Sequence, residues 1–218
     1  TTSLIEANGY TTTYTYDSRG NRLTETDPLA HTTTFTYESV FNQVTSVTDK
    51  NGNSTAYTYD SKGNCTGISK PLGITLTYTY DSYGNMATSI DGRGLTTTTV
   101  YDGNNRLISV THPIGTESFT YDNVGNMLTQ TDANGNATNY TYDGLNRKLT
   151  QDFPGSNDDN YTYDAGGRRL TATNDNADGG YTYDAMNRKL TETVNGHTTH
   201  YSYNTSTRQR TVTYPGGS

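Results

Sequence analysis

Residues 139–150 decide the fold, and they read Asn139-Tyr140-Thr141-Tyr142-Asp143-Gly144-Leu145-Asn146-Arg147-Lys148-Leu149-Thr150. Alternating aromatic and β-branched residues before the acid predict a strand, and Asp followed three residues later by Asn predicts a tight turn into a second strand. Self-similarity at one period predicts a repeat architecture. The second Tyr of the motif recurs ten times at intervals of 20 to 22 residues, and this Tyr numbers repeats 1 to 10: Tyr16, Tyr37, Tyr59, Tyr80, Tyr101, Tyr121, Tyr142, Tyr163, Tyr183 and Tyr203.

The first strand of each repeat alternates strictly. The residue two positions before the numbered Tyr is aromatic in nine of ten repeats, and Thr lies between the two in eight of ten. This pattern predicts an aromatic face and an opposite β-branched face. The second strand carries an aliphatic residue that, if it shares the aromatic face, would build a continuous Tyr–Leu stripe. These aliphatic residues are Leu23, Val44, Ile108, Leu128, Leu149, Leu170 and Leu190.

Two turns per repeat complete the pattern. The position three residues after the acid is Gly or Asn in eight repeats, which suits positive φ, whereas Phe41 and Thr207 predict a distorted or longer loop. Asn-Gly or Pro-x-Gly then returns the chain. We therefore expect an all-β fold, a continuous antiparallel meander of hairpins with about twenty strands. A twist of about 20° per strand pair should coil it into a spiral sheet, a partial shell or tube.

Composition limits the class of protein. The 218 residues carry a net charge of −7, with 20 Tyr and 30 Leu, Ile, Val and Phe residues together. So few aliphatic residues predict a thin core of tyrosine rings. The acidic balance argues against a nucleic-acid partner, no apolar run is long enough to span a membrane, and the single Cys65 excludes an internal disulfide. Richness in Thr, Asn, Gly and Tyr is typical of a bacterial secreted or cell-surface protein.

Several candidate sites have simpler explanations. Residues 49–53 and 132–136 resemble the start of a calcium loop, but they lack the downstream Glu, and an Asn-Gly turn accounts for both. His197 and His200 would point to opposite faces of a strand, which disfavours zinc. Identical acids in every repeat do not form the unlike pair that catalysis needs. We therefore predict a protein that is not an enzyme, with no catalytic, cofactor or metal site.

The residues that we single out are instead structural. They recur at matching positions and should form a ladder of strand, turn and strand contacts along the array. The predicted ladder consists of Tyr16, Asp17, Gly20, Leu23, Tyr59, Asp60, Gly63, Tyr80, Asp81, Gly84, Tyr121, Asp122, Gly125, Leu128, Tyr142, Asp143, Asn146, Leu149, Tyr163, Asp164, Gly167, Leu170, Tyr183, Asp184, Asn187 and Leu190.

The motif resembles the YD repeat of Rhs-type proteins. Residues 14–24, YTYDSRGNRLT, and 161–171, YTYDAGGRRLT, are good instances, and the resemblance covers essentially the whole chain. It implies a spiral β-sheet that in bacterial toxins winds into a hollow cocoon around a C-terminal toxin domain. Similar repeats occur in wall-associated bacterial proteins and in animal teneurins. The Asp-Pro-x-Gly signature that precedes the family's cleavage site is not found here, so autoproteolytic and toxic activities are assigned to no residue.

These observations favour a non-catalytic shell or scaffold segment that encloses or displays another domain. Residues 1–218 should be a single array of ten repeats from a longer protein, whose further repeats and toxin cargo would be its partners. The alternative is an extracellular adhesion or glycan-binding module. Unpaired edge strands near residues 11–16 and 211–214 would also permit head-to-tail association into fibres.

The two predicted faces can be tested by mutation. Tyr142→Ala should lower the free energy of unfolding by about 3 kcal/mol or more because it removes a core ring, whereas Thr141→Ala on the opposite face should cost less than about 1 kcal/mol. Chemical denaturation of both variants measures the difference. Equal losses would mean that the faces are wrongly assigned.

Overall fold

Strands and turns alternate along the whole described chain. The computed structural model describes residues 2–5, 11–155 and 157–216. Within them lie 21 strands and one 3₁₀ turn at Pro71–Gly73. The chain divides into two compact units, Thr1–Ile114 and Gly115–Ser218.

The first unit is an antiparallel meander in which every strand pairs with the next one along the chain. Its eleven strands are β1 (Thr2–Ile5), β2 (Thr11–Tyr16), β3 (Arg22–Thr26), β4 (Thr32–Tyr37), β5 (Val44–Thr48), β6 (Ser54–Tyr59), β7 (Cys65–Ser69), β8 (Thr75–Tyr80), β9 (Met86–Ile90), β10 (Thr96–Tyr101) and β11 (Leu107–His112).

The second unit repeats this arrangement, again with consecutive antiparallel pairs. The predicted all-β antiparallel meander is therefore confirmed in each unit. The ten strands are β12 (Gly115–Tyr121), β13 (Met127–Thr131), β14 (Ala137–Tyr142), β15 (Lys148–Asp152), β16 (Asp159–Tyr163), β17 (Arg169–Asn174), β18 (Ala177–Tyr183), β19 (Lys189–Val194), β20 (His197–Asn204) and β21 (Gln209–Thr213).

The two faces of the sheet differ as predicted for the first strand of repeats 2 to 10, whereas in repeat 1 Tyr16 is exposed and Thr15 is half-buried. On β14, Tyr140 and Tyr142 are half-buried and Thr141 between them is exposed. The Thr141 hydroxyl lies 2.8 Å from the hydroxyl of Thr150 on β15. Equivalent hydroxyl pairs cross six other hairpins. We call the two sides the tyrosine face and the threonine face.

A bulge in the second strand interrupts the alternation. Tyr142 pairs with Lys148 and Thr141 with Thr150, which leaves Leu149 as an extra residue. The same shift occurs in the first hairpin of repeats 1 to 9. Such a bulge places two residues opposite one. Lys148 therefore lies on the tyrosine face and Thr150 on the threonine face, although they are two residues apart.

The expectation that the second-strand aliphatic residues share the tyrosine face and form a Tyr–Leu stripe is therefore wrong. In repeats 2 and 3 the bulge residue is Thr45 or Thr66, and its hydroxyl lies 2.7 or 3.2 Å from a hydroxyl of the threonine face. Leu occupies this same position, away from the rings, in repeats 1 and 6 to 9, and three of these leucines are more than a third exposed: Leu128, Leu170 and Leu190. Val44 does not share their position, because it pairs with Tyr37.

The repeats with Phe41 and Thr207 have longer loops, as predicted. In repeat 2 the N–H of Glu38 donates to the carbonyl of Gln43, five residues on, whereas Asp17 reaches four residues to Asn21. Positive φ moves one position along the chain, to Asn42 at 63° and to Arg208 at 55°. Each loop has one additional residue, so the left-handed position follows Phe41 or Thr207.

One predicted edge is also corrected. β1 pairs with β2 through Thr2 opposite Tyr14, so residues 11–16 are not an unpaired edge. At the other end, β21 pairs with β20. Self-association through the first predicted edge therefore loses its basis.

No described apolar side chain is fully buried. The rings on the tyrosine face are only half-buried, so truncation of a Tyr leaves a smaller cavity than it would in a two-layer core. The cost expected for Tyr142→Ala is accordingly revised to about 2 kcal/mol.

Asn146 has a φ of 61°, which agrees with the sequence-based expectation of a left-handed residue at this turn. Asn146→Val should lower the free energy of unfolding by about 1–3 kcal/mol, because a β-branched residue resists positive φ. Asn146→Gly is the matched control, since it keeps the backbone conformation and removes the same amide. Urea unfolding of both variants measures the difference, and a Val variant as stable as the Gly variant would contradict the argument.

Candidate functional site: the aspartate loops and the tyrosine face

Each Asp of the motif organises the loop that follows it. The N–H of Asp143 donates to the carbonyl of Arg147, and the N–H of Asn146 donates to the carbonyl of Asp143. Both N···O distances are 3.0 Å. Oδ1 of Asp143 accepts the N–H groups of Leu145 and Arg147, at 2.9 and 3.0 Å. Oδ2 accepts Nε of Arg147 at 2.6 Å. One carboxylate thus satisfies two backbone donors and one side-chain donor. We call this five-residue unit an aspartate loop.

The same loop recurs at both kinds of turn. The repeat pattern predicted the Asp of the YD motif, and residues 49–53 and 132–136 were predicted as Asn-Gly turns. That the second turn uses the same Asp-centred loop was not predicted, although an Asp followed by Gly or Ala three positions later marks it. The side chain bound to Oδ2 is Asn in some loops, and Arg or His in others. The acids are Asp17, Asp60, Asp81, Asp102, Asp122, Asp143, Asp164 and Asp184 at the first turn, and Asp27, Asp49, Asp91 and Asp132 at the second.

The loops at Asp49 and Asp132 are those that resemble calcium loops. Oδ1 of Asp49 accepts the N–H groups of Asn51 and Asn53, both at 2.8 Å, and Oδ2 accepts Nδ2 of Asn53. The carboxylate is used by its own turn, which supports the turn interpretation. In the described part of the chain, no three His, Cys, Asp or Glu side chains are grouped as a metal site would require.

Hydrogen bonds to the charged form lower the pKa of these carboxyl groups. For Asp17 the main cause is the Asn21 side chain, and for Asp143 it is the backbone N–H of Arg147. The pKa is lowered in all twelve loops. These acids are therefore held ionised, as turn-forming groups, and none is poised to give up a proton near neutral pH.

In repeats 2, 3, 4, 8, 9 and 10 the numbered Tyr links the repeat to the one before it. The hydroxyl of Tyr59 donates to the carbonyl of Val44 at 2.7 Å, and the hydroxyl of Tyr163 donates to the carbonyl of Lys148 at 2.9 Å. The accepting residue is the one immediately before the bulge, where the strand ladder is interrupted. Tyr37, Tyr80, Tyr183 and Tyr203 make the same bond.

Arginines at the ends of the aspartate loops add a second link in the second unit. Arg147 binds Asp143 and also donates from Nη1 to the carbonyl of Asp164 in the next loop, at 2.8 Å. Its guanidinium lies 4.7 Å from the centre of the Tyr163 ring. Arg168 repeats both contacts with the following repeat.

A column of cations and rings lies on the tyrosine face of the second unit. Lys148 Nζ lies 5.3 Å from the ring centre of Tyr140 and 5.9 Å from that of Tyr161. Arg169 lies in the same way between Tyr161 and Tyr181. The repeat pattern did not predict this column, although Lys or Arg recurs directly before the bulge residue. In repeats 2 to 6 the position is held by Val44, Cys65, Met86, Leu107 and Met127.

The predicted ladder residues thus lie in three kinds of place. The Tyr residues lie on the tyrosine face, the Asp, Gly and Asn residues form the first-turn loops, and the Leu residues occupy the bulges. No single cluster unites them. His197 and His200 lie exposed on β20, opposite Val194 and Thr191. Among the described residues, no helix has the length and apolar character of a membrane span.

The lowered pKa values predict acid sensitivity. An Asp whose folded pKa lies below its unfolded value of about 3.9 stabilises the fold above that pH, and this contribution is lost as the pH falls through the folded pKa. We expect the free energy of unfolding to be nearly constant from neutral pH to about 5 and to fall below about 4. Urea unfolding over this range measures it. Asp143→Asn should reduce the slope, and a stability that rises on acidification would contradict the prediction.

Comparison with solved structures shows a related fold. The crystal structure of TcdB2-TccC3-TEV matches with a TM-score of 0.50 and 15% identity, over 94% of this chain and 16% of that chain. The crystal structure of TcdB2-TccC3 without hypervariable C-terminal region matches with a TM-score of 0.50 and 16% identity, over 94% of this chain and 15% of that chain. At such identity the likeness concerns the fold alone, and this chain spans a small part of those chains.

The sequence itself shows the family. No curated protein matches it significantly. The family described as RHS Repeat matches residues 1–32, 39–75, 59–97 and 101–137, which together make up more than half of the chain. These matches span repeats in which the aspartate loop and the numbered Tyr recur. The chain belongs to the RHS Repeat family.

Proposed function

We propose that the chain is a non-catalytic structural segment of an Rhs-repeat shell that encloses or displays another domain of the same polypeptide. On this proposal, residues 1–218 form one array of ten repeats within a longer, bacterial, secreted or surface protein. The observation that supports it is that the Asp carboxylates of eight repeats bind groups of their own loops, and that in six repeats the numbered Tyr donates its hydroxyl to a carbonyl of the preceding repeat. Such nearest-neighbour contacts extend a sheet without building a localised site.

The carboxyl groups support a structural role. In the described chain, each carboxyl group with a resolved shift has a lowered pKa, including Glu38 and Glu192 outside the aspartate loops. General acid catalysis near neutral pH needs a raised pKa, and acid–base pairs need unlike environments. Twelve loops with nearly the same hydrogen bonds provide neither feature.

The chemical contrast between the threonine face and the tyrosine face supports the proposal that the sheet is part of a shell. The threonine face presents hydroxyl groups that bond to one another, whereas the tyrosine face presents half-buried rings. A sheet of this kind separates two chemically different spaces while both faces remain compatible with water. The likeness to the TcdB2-TccC3 structures and the RHS Repeat matches agree with this role.

Limited proteolysis of the longer polypeptide tests the proposal. A segment enclosed by the array should resist protease until the array is weakened. Asp164→Ala removes the acceptor of one aspartate loop and should shorten the time of protection, whereas Thr162→Ala on the exposed threonine face should leave it unchanged. A companion segment digested equally fast with the intact array and with both variants would refute enclosure.

A second candidate function is glycan binding, which one observation favours. A cavity of about 420 Å³ in the second unit is lined by the rings of Tyr140 and Phe153 and by the polar side chains of Gln130, Asn136 and Gln151. Rings that stack on sugars, beside amides that bind hydroxyl groups, suit a carbohydrate. Phe153 is 37% exposed and so accessible to a ligand.

Oligosaccharide binding to the chain distinguishes the candidates. If this cavity binds glycans, Gln130→Ala and Phe153→Ala should each weaken binding, and Thr141→Ala, on the opposite face, should not. An array that binds no oligosaccharide in a broad screen, and still protects its companion segment, would leave the shell as the function.

A further inference from the structure

The last hairpin departs from the other nine in charge, and it shares its longer loop with repeat 2. Position 204 is Asn, whereas the equivalent position is Asp in eight repeats and Glu38 in repeat 2. Asn204 keeps the turn, because its Oδ1 accepts the N–H groups of Ser206 and Thr207 at 2.9 and 3.0 Å. The loop thus retains its acceptor but has lost the negative charge found at the other first turns.

Arginines converge at this loop, which contains no acidic residue. A cavity of about 340 Å³ is lined by Arg188, Arg208 and Arg210, together with Asn204, Thr205 and Gln209. Arg208 holds the left-handed position of the longer loop, with a φ of 55°. Arg210 pairs with Tyr203 across the hairpin, and its guanidinium lies 5.8 Å from the ring centre of Tyr201.

The charge in this cavity is incompletely neutralised. Arg188 binds Oδ2 of Asp184 at 2.7 Å. Within residues 2–5, 11–155 and 157–216, Arg208 and Arg210 form no ion pair. Three guanidinium groups against one carboxylate leave an excess of two positive charges in a chain whose net charge is −7.

Arg188 also has free donor capacity here. Arg147 and Arg168 each donate Nη1 to the carbonyl of the next loop's Asp, at 2.8 and 2.9 Å. Arg188 makes no such bond to Asn204 among the described contacts, although it stacks on Tyr203 with 4.4 Å between the guanidinium carbon and the ring centre. Its position is therefore set by the ring and by Asp184, while Nη donors remain for a ligand.

We propose that this cavity, which we call the repeat 10 pocket, binds a phosphate or sulfate group. Guanidinium groups offer paired N–H donors that match the oxygens of a tetrahedral anion, and charge-assisted bonds of this kind are stronger than neutral ones. Asn204, Thr205 and Gln209 supply further polar groups at the rim. The anion is either free or carried as an ester on a sugar. The assignment does not depend on the proposed shell function.

Calorimetric titration at low ionic strength tests the pocket, with inorganic phosphate and glucose 6-phosphate as separate probes. Both should bind to the wild-type chain. Tighter binding of inorganic phosphate identifies a site for the free ion, and tighter binding of the ester identifies a site for a phosphorylated sugar. Binding of neither probe would overturn the proposal.

Asn204→Asp provides the sharpest variant, because it restores the acid that eight other repeats carry and so preserves the fold. Arg208→Gln removes one cation from the pocket. Each should weaken binding at least about tenfold, which corresponds to about 1.4 kcal/mol. Arg22→Gln is the matched control, since Arg22 occupies in repeat 1 the position that Arg210 holds in repeat 10, and it should bind as the wild type does. Unchanged binding in Asn204→Asp, or an equal loss in Arg22→Gln, would refute the site.

Discussion

The structure depends on one interaction, the acceptance of backbone N–H groups by an Asp carboxylate at the start of twelve of the described loops. An antiparallel meander reverses direction after every strand, and each reversal leaves amide groups without a ladder partner. In the Asp143 loop, Oδ1 binds two of these N–H groups and Oδ2 holds the side chain of Arg147. The loop length then determines the strand register, and the register determines which side chains share a face.

Because the sheet has no fully buried apolar residue among those described, stability has to come from contacts repeated between neighbours. Tyr163 illustrates this, since its hydroxyl binds the carbonyl of Lys148 where the bulge interrupts the ladder. Arg147 covers the same ring and binds the next loop. Each contact is modest, about 1 kcal/mol for a typical hydrogen bond, but it recurs along the array. Loss of one repeat therefore weakens its two neighbours first.

Repeats that depart from the common motif differ from their neighbours in loop length and in charge. The additional residue in the loops of repeats 2 and 10 moves positive φ to Asn42 and Arg208. Exchange of Asp for Asn at position 204 removes a charge without removing the turn. In a protein built from near-identical units, such exceptions distinguish one surface from the next, and the cation column of the second unit is another case.

The sequence by itself determined the period, the two turns, the alternation of the first strand and the positive φ at Asn146, because these depend on residues close together in the chain. Ten in-register repeats made the all-β meander and the family predictable. Only the tertiary structure decided the faces of the second strand. One extra residue at the bulge reverses the side-chain alternation, so Leu149 lies away from the rings and Lys148 lies between them. The alternation of residue types along a strand does not show where an unpaired bulge residue will shift the register. The pairing of β1 with β2 could not be predicted from the sequence either, because residues 2–5 carry no copy of the motif.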